Sequence, residues 1–330
     1  MKQFLQRKAK LVFLCMLVLL TCTACANPRG RDGKTLADQI IASEETTIDA
    51  SKINYKDISD KKLKKEIKKN IKDGEYTIQP TTFKDSMSKG WFEGLIVWPI
   101  AQIINLISSK TDAGVGIILT TLLIQMLVFV FTRKSQMSTQ RMQEISPEIQ
   151  KIQNKYKDKT DERSKLQMAQ EMQNLYQKYD IHPFGSMLIT FIQLPIMMGM
   201  YYATMRSVSV VSGSFMGISL ACTPLDGFKA LDIAYIAIYV LMVIFYIVSM
   251  KLPQWLKKWQ DKKDNVKVKK YAQEETNPMA NSMNMSMYFM TAMICIMYIS
   301  WPMAMSFYWL VSSVIRVCQS LILHQVMNKK

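Results

Sequence analysis

The sequence predicts an all-α membrane protein with five transmembrane helices, and three observations carry that prediction. Apolar residues make up 49% of the 330 and gather in blocks near 113–131, 184–205, 231–250, 285–300 and 303–323. Each block is close to the ~20 residues that cross ~30 Å of hydrocarbon. The blocks lack the alternation over ~10 residues that outer-membrane strands show, and a helix satisfies its backbone polar groups within the segment. A soluble all-α protein is the weak alternative.

Before the first block stands a targeting segment, residues 1–24. Lys2, Arg7, Lys8 and Lys10 precede the apolar run Leu11 to Leu20, and small residues follow up to Cys25, the layout of a signal peptide. The stretch Cys22-Thr23-Ala24-Cys25-Ala26-Asn27 resembles a bacterial lipobox, which makes Cys25 the lipidation site and the mature protein a palmitate-type lipoprotein. Cys22 stands where leucine is usual. Cys22 and Cys25 have Cys-x-x-Cys spacing, but no thioredoxin-like strand and helix pattern surrounds them. Residues 25–87, polar and rich in lysine, read as an extracytoplasmic linker tethered to the lipid. Residues 88–109 read as an interfacial amphipathic helix, with Trp91 and Trp98 suited to headgroup level.

The first transmembrane helix is expected over 110–132, followed by a cytosolic helical hairpin over 133–183. Ile145, Ile149, Ile152 and Tyr156 recur at helical spacing, and Met168, Met172, Leu175, Tyr176 and Tyr179 do so after the charged turn at 157–161. The second transmembrane helix is expected over 184–205, an extracytoplasmic loop over 206–230, the third helix over 231–250 and a basic cytosolic loop over 251–283. The fourth and fifth helices occupy 284–323 and leave a short cytosolic tail, 324–330. Charge sets the orientation. Segment 133–183 carries ten Lys or Arg and segment 251–283 carries eight lysines, against only Arg206 and Lys229 in the loop between them. That bias places the first two in the cytosol of a bacterial cell and the lipid-anchored N-terminus outside.

The remaining chemistry is sparse. Cys222, Cys295 and Cys318 are scattered, and His182 and His324 have no acids or thiols at ligand spacing, so no metal site is expected. No paired carboxylates, nucleophile–histidine–acid arrangement or phosphate loop appears, which argues against an enzyme and against any cofactor. The net charge of +16 suits loops facing anionic membrane lipids. Without aromatic RNA-binding strands it does not point to sequence-specific nucleic-acid binding.

Several runs together carry a family resemblance. Gly116-Ile117-Ile118-Leu119-Thr120-Thr121-Leu122-Leu123-Ile124, the segment Ser138 to Tyr156, Phe191-Ile192-Gln193-Leu194-Pro195-Ile196, Tyr288-Phe289-Met290 and Ser306-Phe307-Tyr308-Trp309-Leu310-Val311-Ser312-Ser313 resemble the YidC family of membrane-protein insertases, in order and spacing, over about residues 90–325. The lipobox suggests the Gram-positive lipoprotein type. The resemblance implies a five-helix core around a hydrophilic groove that opens to the cytosol and to lipid. In that groove the polar flanks of nascent membrane proteins are hydrated while their apolar segments enter the bilayer. It also implies partners, namely nascent membrane proteins and, for some members, the Sec translocon and the ribosome.

One departure stands out. The family's groove arginine falls on Gln125, which hydrogen-bonds but carries no charge. Arg316 is the only Lys or Arg deep within a block, and intramembrane cations are functional by default. At 1.5 Å per residue, Gln125 and Arg316 lie about 18 and 20 Å below their helix starts. Ser312, Arg316 and Ser320 repeat every four residues, with Gln319 beside them. The expected substrate groove therefore comprises Arg316, Gln125, Gln193, Gln319, Ser312 and Ser320. The bland alternative has Arg316 snorkelling toward the headgroups nearest the tail. Thr291, where proline is common, and Met303-Ala304-Met305, where a glycine turn is usual, are further departures that suggest a divergent paralogue. Its dense methionines could serve an adaptable surface or ordinary packing. Two other functions stay open at this point. One is a structural or assembly factor of an envelope complex that has lost insertion. The other is a polar-lined transporter, which the absence of an internal repeat disfavours.

Overall fold

The computed structural model describes residues 28–157, 159, 161–181, 184–263, 289 and 291–328. The signal peptide, Cys25, residues 264–283 of the basic loop and much of the fourth expected span lie outside the described residues. The chain divides into two compact units. One holds the described residues up to Thr120 with Leu194–Cys222 and Pro302–Met305, and the other holds Thr121–Gln193, Thr223–Trp301 and the residues from Ser306 onward.

In the first unit, residues 28–90 are folded, which corrects the expectation of a linker. Strand β1 (Thr35–Leu36) pairs in parallel with β3 (Ile53–Asn54), and β2 (Thr46–Asp49) pairs antiparallel with β4 (Glu75–Ile78), Thr46 opposite Ile78. Helix α1 (Lys61–Asn70) starts at Asp60, whose carboxylate accepts from the Lys62 and Leu63 amides. Asp73 and Gly74, both at positive φ, turn the chain into β4, the conformation a two-residue hairpin turn demands. Helix α2 (Phe83–Lys89) opens with a Thr82–Asp85 capping box. Ile40, Ile48, Ile53, Ile58, Ile67 and Ile78 form a core that is completed by Val208 and Val211. Residues more than a hundred positions away supply part of that core, so no local pattern announces it.

This module caps the C-terminal end of the second expected span. That helix runs Phe184–Arg206 and leaves carbonyls without helical partners at its end. Thr35 Oγ1 donates to the Met205 carbonyl at 2.8 Å and the Ile41 amide donates to the Arg206 carbonyl at 2.6 Å. Arg206, counted above as a loop charge, closes the helix and is 2% exposed. Its guanidinium pairs with Glu93 and lies 5.4 Å from the Tyr202 ring.

The interfacial segment is helical from Trp91, with a wider π turn over Glu93–Val97 leading into helix α3 (Trp98–Ser108). One face, Val97, Ala101, Ile104 and Asn105, is buried, while Trp91, Leu95 and Leu106 are exposed. An apolar outer face of this kind suits the headgroup boundary.

The long helices bear out a membrane protein. Ala113–Met142, Ile233–Leu256 and Met303–Val326 are each long and apolar enough to cross a bilayer, and the 23-residue helix Phe184–Arg206 is ~34 Å long. Helix α4 (Ala113–Glu144) does not stop at 132, because no Pro or Gly follows Gly116 within it. Along it Leu119, Leu122, Leu123, Met126, Leu127, Val130 and Phe131 are exposed, whereas Thr120, Thr121, Gln125 and Thr132 are buried. Apolar outside and polar inside is the reverse of a soluble helix.

The hairpin helices, Ser146–Lys155 and Glu162–Lys178, follow the spacing read from sequence. Ile145, Leu175 and Ile181 form their core, with Met142, Ile149, Ile152, Tyr176 and Tyr179 against it. Met168 and Met172 are outside that cluster. Tyr156 Oη donates to Glu171 at 3.0 Å and Tyr179 Oη to Glu148 at 2.7 Å. The third long helix, Ile233–Lys263, runs past residue 250 into the basic segment, and Trp255 and Trp259 are exposed on that extension. Residues 291–298 are helical, and the last helix is Met303–Asn328.

Candidate functional site

The last helix builds the site because Tyr308, Ser312, Arg316 and Ser320 recur every four residues and share one face. Tyr308, Ser312 and Ser313 are fully buried. On the first long helix Gln125 is 5% exposed, and its Nε2 donates to Ser312 Oγ at 3.2 Å. Gln193 Nε2 donates to the Tyr308 hydroxyl at 3.1 Å. The same hydroxyl also interacts with the Ser312 and Gln125 side chains. Three helices thus contribute to one buried polar network.

Arg316 lies one turn further along. Its Nε donates to the Ser312 carbonyl at 3.4 Å, and its guanidinium sits 5.5 Å from the centre of the Trp309 ring. Trp309 is stacked on Tyr298 at 4.8 Å and meets Tyr246 edge-on at 6.2 Å. An aromatic face attracts a guanidinium and holds it without neutralising it. The hydrogen bond and the ring contact of Arg316 lie back along the helix, at residues 312 and 309, the direction helical side chains favour. That placement is opposite to a side chain snorkelling toward the tail.

Several polar atoms of this face have no hydrogen-bonding partner among the described residues, although they are buried: Arg316 Nη2, Ser313 Oγ, Ser320 Oγ and Trp309 Nε1. Burying such groups dry costs about 1–3 kcal/mol each. Chemically, the face is therefore suited to water or to a polar guest, with Arg316 Nη2 as its cationic donor.

The predicted residues come together in part. Gln125, Ser312 and Arg316 meet, but Gln125 bonds to Ser312 and not at the depth of Arg316. Counted from the helix starts, Gln125 at 12 residues matches Arg316 at 13 and not Ser312 at 9, yet its hydrogen bond goes to Ser312, so the level inferred from helix starts is off by about one turn. Gln193 joins through Tyr308, which the sequence reading did not select. The four-residue repeat ending at Ser320 could have found it, because Tyr308 is the first member of that ladder. Gln319 is half-buried, and neither it nor Ser320 forms a side-chain hydrogen bond among the described residues. Cys25 lies outside them.

Helices long enough to span a bilayer, apolar toward the outside and holding hydrogen-bonding side chains within, define an integral membrane protein of the polytopic α-helical class. Comparison with known proteins narrows this class to one family. The family described as 60Kd inner membrane protein matches residues 105–330, and the chain belongs to it; this is the YidC family whose motifs the sequence carries. The chain is 30% identical over 237 residues to the membrane protein insertase YidC 1 of Streptococcus pyogenes serotype M6, covering 72% of this chain and 75% of the relative. It is 30% identical to the membrane protein insertase YidC of Enterococcus faecalis, covering 72% and 76%. It is 28% identical over 238 residues to the membrane protein insertase MisCA of Bacillus subtilis, covering 72% and 80%.

Proposed function

We propose that this chain is a membrane-protein insertase and membrane chaperone. In this reading the polar flank of a nascent membrane protein is received along the face lined by Gln125, Gln193, Tyr308, Ser312 and Arg316, and its apolar segment passes from there into lipid. A charged side chain at the bilayer centre costs about 2.5–3.5 kcal/mol on insertion scales. A hydrated face part of the way across removes much of that barrier, with no covalent step. Arg316 takes the place of the family's groove cation: its Nη2 receives a substrate carboxylate, while Trp309 and the Ser312 carbonyl hold the guanidinium in position. The carrying observation is the row of buried, unpartnered polar atoms on the last helix. Passive hydration and release need no cofactor.

The same proposal places the N-terminal module outside the cell, anchored through a lipid on Cys25, and the hairpin and C-terminus in the cytosol. The protein then works alone or beside the Sec translocon on substrates delivered by ribosomes. An assembly factor without insertion activity is the competing reading, favoured by the uncharged Gln125.

A photo-crosslinking residue at Ser312 tests the proposal against one at Leu127, which is 61% exposed on the lipid-facing side of its helix. Transient adducts with radiolabelled nascent single-span proteins at 312, and few at 127, are expected. Equal labelling at both, or none at 312 from well-expressed protein, overturns the insertase reading in favour of the assembly role.

A further inference from the structure

The N-terminal module carries a basic surface that the insertion chemistry does not use. Segment 61–72 holds seven lysines and one acid, Glu66. Leu63 and Ile67 turn toward the module's core, so the lysines occupy the rest of the circumference of α1. Lys61, Lys62, Lys65, Lys68 and Lys69 are exposed, and none has an ion-pair partner among the described residues. Lys64 is engaged, its ammonium donating to the Lys56 carbonyl.

Folding does not call for this arrangement. Lys61 and Lys62 fill the first turn, where the helix dipole is already positive and an acid would be stabilising. Like charges three and four residues apart repel as well. A segment that concentrates cations against both effects is suited to an external polyanion.

The module's attachment indicates which polyanion. Asn105 Nδ2 donates to the Ile41 carbonyl at 2.8 Å, Gln102 Nε2 to the Ala42 carbonyl at 3.1 Å and Trp98 Nε1 to the Thr81 carbonyl at 2.8 Å. The module is thus bonded directly to the interfacial helix, whose other face exposes Trp91, Leu95 and Leu106. A module of about 60 residues has a radius of gyration of about 11 Å, so it remains close to the plane in which that helix lies. We infer that the lysine face of α1 binds the phosphates of anionic phospholipid headgroups in the protein's own membrane. Ammonium groups on flexible stems bind phosphate as point charges and need no fixed geometry.

The test uses the full-length chain in vesicles, with a genetically encoded environment-sensitive fluorophore in place of Lys65. Quenching by nitroxide-headgroup lipid is compared in phosphatidylcholine and in phosphatidylcholine with one-third phosphatidylglycerol. Several-fold stronger quenching in the anionic vesicles is expected. It should be lost in half-molar sodium chloride and in the variant with Lys61, Lys62, Lys68 and Lys69 changed to Gln. Unchanged hydrogen-exchange protection of Ile67 in that variant shows that the module is still folded. Equal quenching in both lipids overturns the inference. So does a response to soluble polyphosphate or polyglutamate that occurs without headgroup quenching, which assigns the face to a soluble polyanion or an acidic protein. Neither result bears on crosslinking at Ser312, so this inference and the insertase reading fail separately.

Discussion

If Arg316 has taken over the groove charge, returning an arginine to Gln125 should harm the protein unless Arg316 is removed. Gln125 Nε2 is 3.2 Å from Ser312 Oγ, and Arg316 Nε is 3.4 Å from the Ser312 carbonyl. Both groups address the same residue, so guanidiniums at both positions come within roughly 8 Å of each other. At an effective dielectric of about 20 their repulsion is about 2 kcal/mol, or about 30-fold in an equilibrium. Gln125→Arg should therefore lower stability by about that amount and reduce insertion of a reporter whose translocated flank is acidic. Arg316→Gln alone should lose the acidic reporter while retaining one with a neutral flank. The double variant, with the charge moved back, should recover both stability and the acidic reporter. Thermal unfolding in nanodiscs reads the first quantity, and protease protection of the reporter in vesicles reads the second. The reasoning is refuted if Gln125→Arg is fully stable and active while the double variant remains inactive, since the cation at 316 would then have no exchangeable role.

Other expectations follow from individual contacts. Tyr308→Phe removes the acceptor for Gln193 Nε2 in a fully buried place and should cost about 1–3 kcal/mol, visible as a lower unfolding midpoint in detergent. Arg206→Met leaves Glu93 buried without its partner and should cost about 3–5 kcal/mol, whereas adding Glu93→Leu should recover most of that loss; chemical denaturation of the three variants measures it. In the hairpin, hydrogen bonds from Lys155 and then Tyr156 hold Glu171 below the usual carboxylate range, and the Ser164 amide does the same for Asp161. A lowered folded-state value means that the contribution is complete above the unfolded carboxylate value near 4 and is lost as pH falls through the folded one. Amide protection over 146–181 should stay level from neutral pH to about pH 5 and decline below about pH 4.

What the sequence made legible follows the range of the forces involved. The long apolar helices and the hairpin were readable because a hydrophobic stripe repeats within the segment that uses it. The helix over 91–108 was readable for the same reason, although its π turn was not. The module at 28–90 was hidden because its isoleucines recur at no fixed interval and its core closes on Val208 and Val211. A lysine-rich stretch with few aromatics resembles a solvated linker until those distant partners are known.

The site shows the same division. Ser312, Arg316 and Ser320 could be found as a stripe, because a four-residue repeat is a local property of one helix. Which side chain on another helix would reach them was not local. Helix starts predicted that Gln125 lies level with Arg316, and the actual partner is Ser312, one turn away. Arg206 is the sharper case. Sequence alone counts it as one of two cations in a loop, yet its partner Glu93 lies 113 residues earlier in the chain and both are largely withdrawn from water. A charge in a sequence declares the cost of burial but not the group that offsets it. Arg316 differs from Arg206 in this respect. Arg206 has its carboxylate within the chain, whereas the described surroundings of Arg316 offer a carbonyl, an aromatic face and no acid. A cation held in place but not neutralised is what a transient acidic guest requires, and this contrast is the reason to look for the guest at Arg316 and for structural stability at Arg206.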